Sequence, residues 1–283
     1  MGQASSKWVM RRPAPPLRPF IDGYVGYRQV GMPAGLHRGL PSRHLTFIVS
    51  LGDPIRVVAQ TDPAQAPASY DLVVSGLQAS SALIAQDGSE EGVAVELTPL
   101  GCRSLLGLPA RSLWNLSVEG EAVLGRPAAA LRERLQCAPG WAARFAACDQ
   151  VLGRFLASTS NVAPEVQEAW RLVVGSGGTI EVGEIAAEVG WGRRHLTRRF
   201  VDEFGLSPKL ASRVVRFDRA RRMLQLPSRP ALSAVAAACG YYDQPPLNRD
   251  FAELAGCPPG EWLAAEVPIV QDPVPVAGAS SAA

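Results

Sequence analysis

The sequence predicts an α+β chain: an N-terminal antiparallel β-barrel or sandwich with packed helices, then an all-α region holding a double helix-turn-helix. Three observations lead there. Between residues 20 and 100, short β-type runs alternate with turn signals; after Pro99, apolar residues recur three and four apart; after residue 178, a two-helix pattern occurs twice. At 283 residues the chain exceeds the roughly 100–200 usual for one domain, and 47% hydrophobic residues against 19% charged allow it to bury sizeable cores. No apolar run reaches the ~18 residues of a membrane span, and no apolar leader follows Met1, so a soluble, cytoplasmic protein without a membrane partner is expected.

Residues 1–19 are proline-rich and 267–283 lack any period, so both are expected to be irregular tails. Strands are expected at Tyr24–Val30, Leu45–Leu51, Ile55–Ala59, Leu72–Ser75, Ala82–Gln86 and Val93–Leu97, broken by Gly52-Asp53-Pro54, Asp62-Pro63 and Asp87-Gly88. Ala128–Leu135, Trp141–Leu156 and Glu165–Val174 carry helical spacing and complete a first domain over 20–174. Gly175-Ser176-Gly177-Gly178 is the expected linker, and residues 179–266 form the second domain.

The second domain repeats itself. Ile185-Ala-Ala-Glu-Val-Gly190 matches Val235-Ala-Ala-Ala-Cys-Gly240 at an offset of 50, and Leu196, Arg198 and Phe200 match Leu247, Arg249 and Phe251 at an offset of 51. Val182, Ile185, Ala186 and Val189 form one apolar stripe; Leu232, Val235, Ala236 and Cys239 form its counterpart. A glycine after each stripe allows a sharp turn into a second helix, which gives a helix-turn-helix used twice. Ser207-Pro208 caps a long helix to Leu224 that holds the two units apart. Trp191–Arg229 also carries eleven Arg or Lys against three acids, a local excess of eight positive charges suited to a polyanion or to a solvated helix face.

On these residues the region resembles the DNA-binding domain of AraC/XylS-type bacterial transcription regulators. The first unit carries Ala186, Gly190, Leu196, Arg198, Phe200, Gly205, Ser207 and Pro208 at the family spacing; the second carries Gly240, Leu247, Arg249, Phe251, Gly256 and Pro259. The resemblance implies a sequence-specific transcription regulator whose partner is double-stranded DNA. It further implies that residues 20–174 are a regulatory domain, open to a small-molecule effector or to homodimer formation. Pro245-Pro246 departs from the family, and the second helix is expected to read less sequence than the first.

A recognition helix presents its N-terminal half to base edges in the major groove. Expected base readers are therefore Arg194, Thr197 and Arg198 in the first unit and Gln244, Asn248 and Arg249 in the second. Arg193, His195, Arg199 and Arg213 are expected at phosphates. The alternative for Arg198 is a surface ion pair with Asp202, four residues on.

The first domain carries weaker signals. Its alternative reading is a cupin-type metalloenzyme with a helical appendage, which needs several histidines and a carboxylate; His37 and His44 are read instead as surface residues near turns. No catalytic residue, metal ligand or cofactor is assigned. The five cysteines have no metal spacing and are expected to be reduced and mostly buried. Trp114, Trp141 and Trp170 fit either a pocket wall or a core.

Overall fold

The computed structural model describes residues 5–156, 162–228 and 230–266. Among the described residues, eight strands make one antiparallel sheet: β1 (Ser5–Arg11), β2 (Ile21–Gly39), β3 (Leu45–Ser50), β4 (Ile55–Ala59), β5 (Ala68–Tyr70), β6 (Leu72–Ser75), β7 (Ala82–Leu97) and β8 (Ser117–Glu119). Their order is β1-β2-β7-β3-β6-β8, with β4 beside the first half of β7 and β5 beyond it, and the sheet curls into a nearly closed barrel. The period of two divides its residues between two faces. Leu45, Phe47 and Val49 with Val93, Val95 and Leu97 are buried in the large core shared with the helices. Thr46, Ile48, Ala94 and Glu96 stand between them on the strands and line a cavity.

Helices α1 (Pro99–Leu106), α2 (Glu121–Leu124), α3 (Pro127–Cys137) and α4 (Trp141–Leu152) follow the sheet. Thr98 caps α1, its hydroxyl accepting from Gly101 N at 3.0 Å, and Gly107 at φ 71° ends it. Phe145 of α4 stacks on Tyr24 of β2, ring centroids 5.9 Å apart, and the Tyr24 hydroxyl donates to Asp149 at 3.0 Å. Asp149 also accepts from Ala14 N and pairs with Arg11, which fastens the first strand to α4. Four of the five cysteines are buried, Cys137 is exposed, and none forms a disulfide.

Several expectations are corrected. The N-terminal segment is no irregular tail: Ser5–Arg11 pairs with β2 from Ser5↔Val30 to Arg11↔Tyr24. Asp87-Gly88 is no turn either, since β7 runs through it opposite Met32 of β2, where the register shifts; Gly88 takes φ 67°. The helix expected over Trp141–Leu156 ends at Leu152 and continues as a single 3-10 turn to Phe155. The expected C-terminal tail, 267–283, lies outside the described residues.

Helix α5 (Pro164–Gly175) packs on the C-terminal helices, with Trp170 stacked on Phe200 at 5.9 Å and tilted against Phe204 at 4.8 Å. The run 175–178 is consequently a tight turn inside that helical assembly and not a flexible linker: Arg216 Nη1 donates to Gly178 O at 2.6 Å. The remaining helices are α6 (Val182–Glu188), α7 (Arg193–Phe204), α8 (Pro208–Leu224), α9 (Leu232–Ala238), α10 (Gln244–Leu254) and α11 (Pro259–Glu266). None of the described helices is long and apolar enough to cross a membrane.

Asp218, on α8, is 3% exposed and is held by Arg221 at 2.9 Å and Arg222 at 3.2 Å. Burial alone would raise its carboxyl; the two guanidinium charges outweigh burial and hold it at about 2, against an ordinary 3.8. Arg222 also reaches Glu96 of β7 at 3.5 Å, so the cluster ties α8 to the barrel.

A depressed carboxylate stabilises the fold above its unfolded pKa, and that contribution is lost as pH falls through the folded value. Acidification from about pH 4 to about pH 2 should therefore remove roughly 2 kcal/mol through this group. Asp218→Asn should cost on the order of 3 kcal/mol at neutral pH and flatten the acid limb by that share. Urea unfolding across pH checks both, and an unchanged acid limb in the variant contradicts the assignment.

Candidate nucleic-acid interface

The two helix-turn-helix units, α6–α7 and α9–α10, are built by the same local chemistry. Ile185 and Ala186 in one and Val235 and Ala236 in the other are buried, and the small alanines admit the second helix. Gly190 and Gly240 take φ 69° and 76°, where an L side chain is strained. Beyond each glycine the chain closes the same bond: Trp191 N donates to Ala186 O at 2.8 Å and Tyr241 N to Ala236 O at 3.0 Å. Leu196, Phe200 and Phe204 of α7 and Leu247, Phe251 and Leu254 of α10 then point inward.

Their surroundings differ. The apolar side chains of the first unit belong to the same buried cluster as the barrel, whereas those of the second form a separate cluster with the far half of α8 and Trp262. The C-terminal end of α7 is docked on the first domain: Arg103 grips Glu203 with both Nε (2.9 Å) and Nη2 (2.7 Å), and Arg111 pairs with Asp202 at 3.4 Å. Gly205, at φ 85°, lies so close to Arg111 and Trp114 that a Cβ there would sit 2.8 Å from the Trp114 Cβ. The N-terminal end of α7 remains exposed.

At that end Arg194 and Arg198 are exposed, as a reading role requires. Arg198 lies 3.5 Å from His195 Nδ1, and Asp202, its alternative partner, is the carboxylate that pairs with Arg111. Thr197 is half-buried, and its hydroxyl donates to Arg193 O at 2.9 Å, which leaves it only acceptor capacity. Arg193 folds back across Gly183 of α6, where a Cβ would meet its guanidinium. His195 packs edge-on against Trp191 at 4.6 Å, and Arg199 is exposed.

In the second unit Arg249 is exposed, while Gln244 and Asn248 are half-buried. The Asn248 Oδ1 is buried without a hydrogen-bond partner. One residue missed by sequence reasoning stands out: Tyr242, two positions before α10, is 98% exposed. The repeat could have shown it, because the neighbouring Tyr241 takes the place of Trp191 and turns inward to donate to Asp250 at 2.9 Å.

Arg213 is corrected. Instead of facing outward for phosphate, it is forked onto Asp250 at 2.7 Å and onto Glu253, which fastens α8 to α10. Arg216, Arg221 and Arg222 are likewise bound within the fold. The basic run is thus divided: four of the arginines of α8 hold structure, while Lys209 and Arg219 of α8 and the arginines of α7 are exposed.

A cavity of about 630 Å³ opens between the barrel and the C-terminal helices, lined by Trp8 of β1, Ile48 of β3, Ile84 and Gln86 of β7, Arg222 of α8 and Trp262 of α11. Trp114, Trp141 and Trp170 are not on its wall. The histidines also differ from expectation: His44 is 7% exposed and bonded to Asp22 at 2.6 Å, and His37 lies within β2 and lines the cavity. Among the described residues no three His, Cys, Asp or Glu side chains are grouped to hold a metal ion.

Residues 185–265 match the family model described as a helix-turn-helix domain. An HTH-type transcriptional regulator of Mycobacterium tuberculosis, Rv1931c, is 32% identical over 87 residues, which are 31% of this chain. The match spans about a third (33%) of that relative's length. Among solved structures, ToxT from Vibrio cholerae has the same fold over 92% of this chain and 98% of its own, at TM-score 0.50 and 12% identity. An AraC-type DNA-binding domain-containing regulator from Chromobacterium violaceum is 28% identical, covering 36% of this chain and 90% of its own at TM-score 0.33.

The divided roles of the arginines are measurable. Arg213→Ala strands the buried Asp250 carboxylate and should lower stability by on the order of 3 kcal/mol in urea unfolding. Arg199→Ala, on an exposed surface, should change stability by less than about 0.5 kcal/mol. Equal losses would show that Arg213 is not the fastening described.

Proposed function

We propose that this chain, whose C-terminal region is an AraC-type helix-turn-helix domain, is a cytoplasmic, sequence-specific DNA-binding transcription regulator. The observation that carries the reading is the exposed arginine face at the start of α7, in a helix whose opposite face (Leu196, Phe200, Phe204) is buried and whose far end is docked through Glu203. Arg194 and Arg198 read base edges, because a guanidinium matches guanine O6 and N7 with two parallel bonds. Arg193 and Arg199 hold phosphates, with His195 beside them. In the second unit Arg249 and Gln244 read bases, with Asn248 set deeper. Helix α8 places the two recognition helices in successive major grooves, roughly 34 Å apart.

Regulation is assigned to the cavity. Because strands of the barrel and helices α8 and α11 share its wall, a small molecule bound there touches both the sheet and the connector of the two units. Occupancy that favours one arrangement of α8 over another changes DNA affinity by the difference in binding free energy.

Selection of bound duplexes from a random pool by the full chain gives the site. Arg198→Ala should then weaken that site by about 1–3 kcal/mol and relax preference at one base pair, whereas Arg193→Ala should weaken all sequences about equally. Affinity should fall steeply with salt, as counterions leave the phosphates. Salt-insensitive binding, or a uniform loss in both variants, rejects the reading.

A further inference from the structure

The wall of the cavity says what kind of molecule it takes. Four arginines (Arg38, Arg56, Arg221, Arg222), four carboxylates (Asp53, Glu90, Glu91, Glu96) and two histidines (His37, His44) line it, so its formal charge, histidines counted neutral, is balanced before any ligand enters. The arginines are also engaged: Arg222 with Glu96 and Asp218, Arg221 with Asp218, Arg38 with Glu261 at 3.9 Å, and Arg56 within the fold as well. An anion placed here would stand beside three glutamates and face arginines already paired within the fold, so its desolvation would be poorly repaid; His37 and His44 are the remaining basic groups of the lining. Burial already pushes the Glu90 carboxyl upward, the effect expected where negative charge is poorly solvated.

On the acceptor side, one group of the wall stands out. Gln86 is 4% exposed, and its Nε2 donates to the Gln29 Oε1 at 2.8 Å, which fixes the amide with its own carbonyl on the other side. That Gln86 Oε1 is buried and has no hydrogen-bond partner. A buried amide carbonyl in such a place is an acceptor set for a donor, and Trp8, Ile48, Ile84 and Trp262 supply apolar surface around it.

We propose that the cavity binds an uncharged, largely apolar ligand carrying a hydrogen-bond donor, a hydroxyl or N–H group, which Gln86 receives. This rests on the reading of the cavity as the regulatory site and names its ligand class.

Isothermal titration of the full chain at neutral pH with 2-naphthol, 2-methoxynaphthalene and 2-naphthoate tests it with three probes of one shape. The expected result is 2-naphthol binding about tenfold more tightly than the methyl ether, with the carboxylate weakest. Gln86→Leu should erase the preference, leaving 2-naphthol and the methyl ether with about equal affinity. If that variant does not fold, the pair Gln29→Leu with Gln86→Leu removes both halves of the amide contact at once. Tightest binding by 2-naphthoate, a hydroxyl preference that survives in the folded variant, or no binding by any probe overturns the proposal. Binding of 2-naphthol that leaves DNA affinity unchanged supports the ligand class and rejects the regulatory use of the cavity.

Discussion

A carboxylate withdrawn from water organises this molecule. Asp218 sits inside α8 with two arginines on its own helix, and a buried ion pair of this kind is stable only while every partner is in place. Arg222 continues from it to Glu96 on β7, the strand that pairs with β2, β3 and β4. The helix that separates the two helix-turn-helix units is thereby locked to the strand that divides helix-packed core from cavity.

The repeat in the sequence conceals an asymmetry in the fold. Both units close their turns with the same backbone bond, yet the first merges its apolar core with the barrel and the second keeps a core of its own. Local sequence specifies the helix pair; what the pair leans on is set by residues far away, such as Arg103 and Trp114 for α7 and Arg213 for α10. Equal motifs therefore do not imply equal mechanical roles.

Where periodicity is long and turn chemistry strong, the sequence was legible. Ile55–Ala59 and Leu72–Ser75 are strands with the expected ends, and the stripes of both units face inward, Ile185, Ala186, Val235, Ala236 and Cys239 buried and Val182, Val189 and Leu232 half-buried against them. Prolines around Ser5–Arg11 hid an edge strand that needs only a partner's backbone, and Asp87-Gly88 imitated a turn because a bulge tolerates the same residues. At the interface, exposure of Arg194 and Arg198 followed from helical geometry. The fate of Arg213 did not, because Asp250 and Glu253 lie some forty residues on and no local pattern couples them. The cavity was illegible for the same reason: Trp8, Gln86 and Trp262 meet only after the sheet has curled.

The docking of α7 bears on how such proteins exchange parts. Glu203 and Gly205 present a nearly buried carboxylate and a bare backbone to the first domain, where Arg103 and the turn around Trp114 receive them. Grafting this C-terminal region onto an unrelated sensing domain would leave the carboxylate without its guanidinium and the glycine against a surface not shaped for it. A working chimera has to carry residues 103, 111 and 114 along with the helices, so the transferable module is discontinuous in the chain.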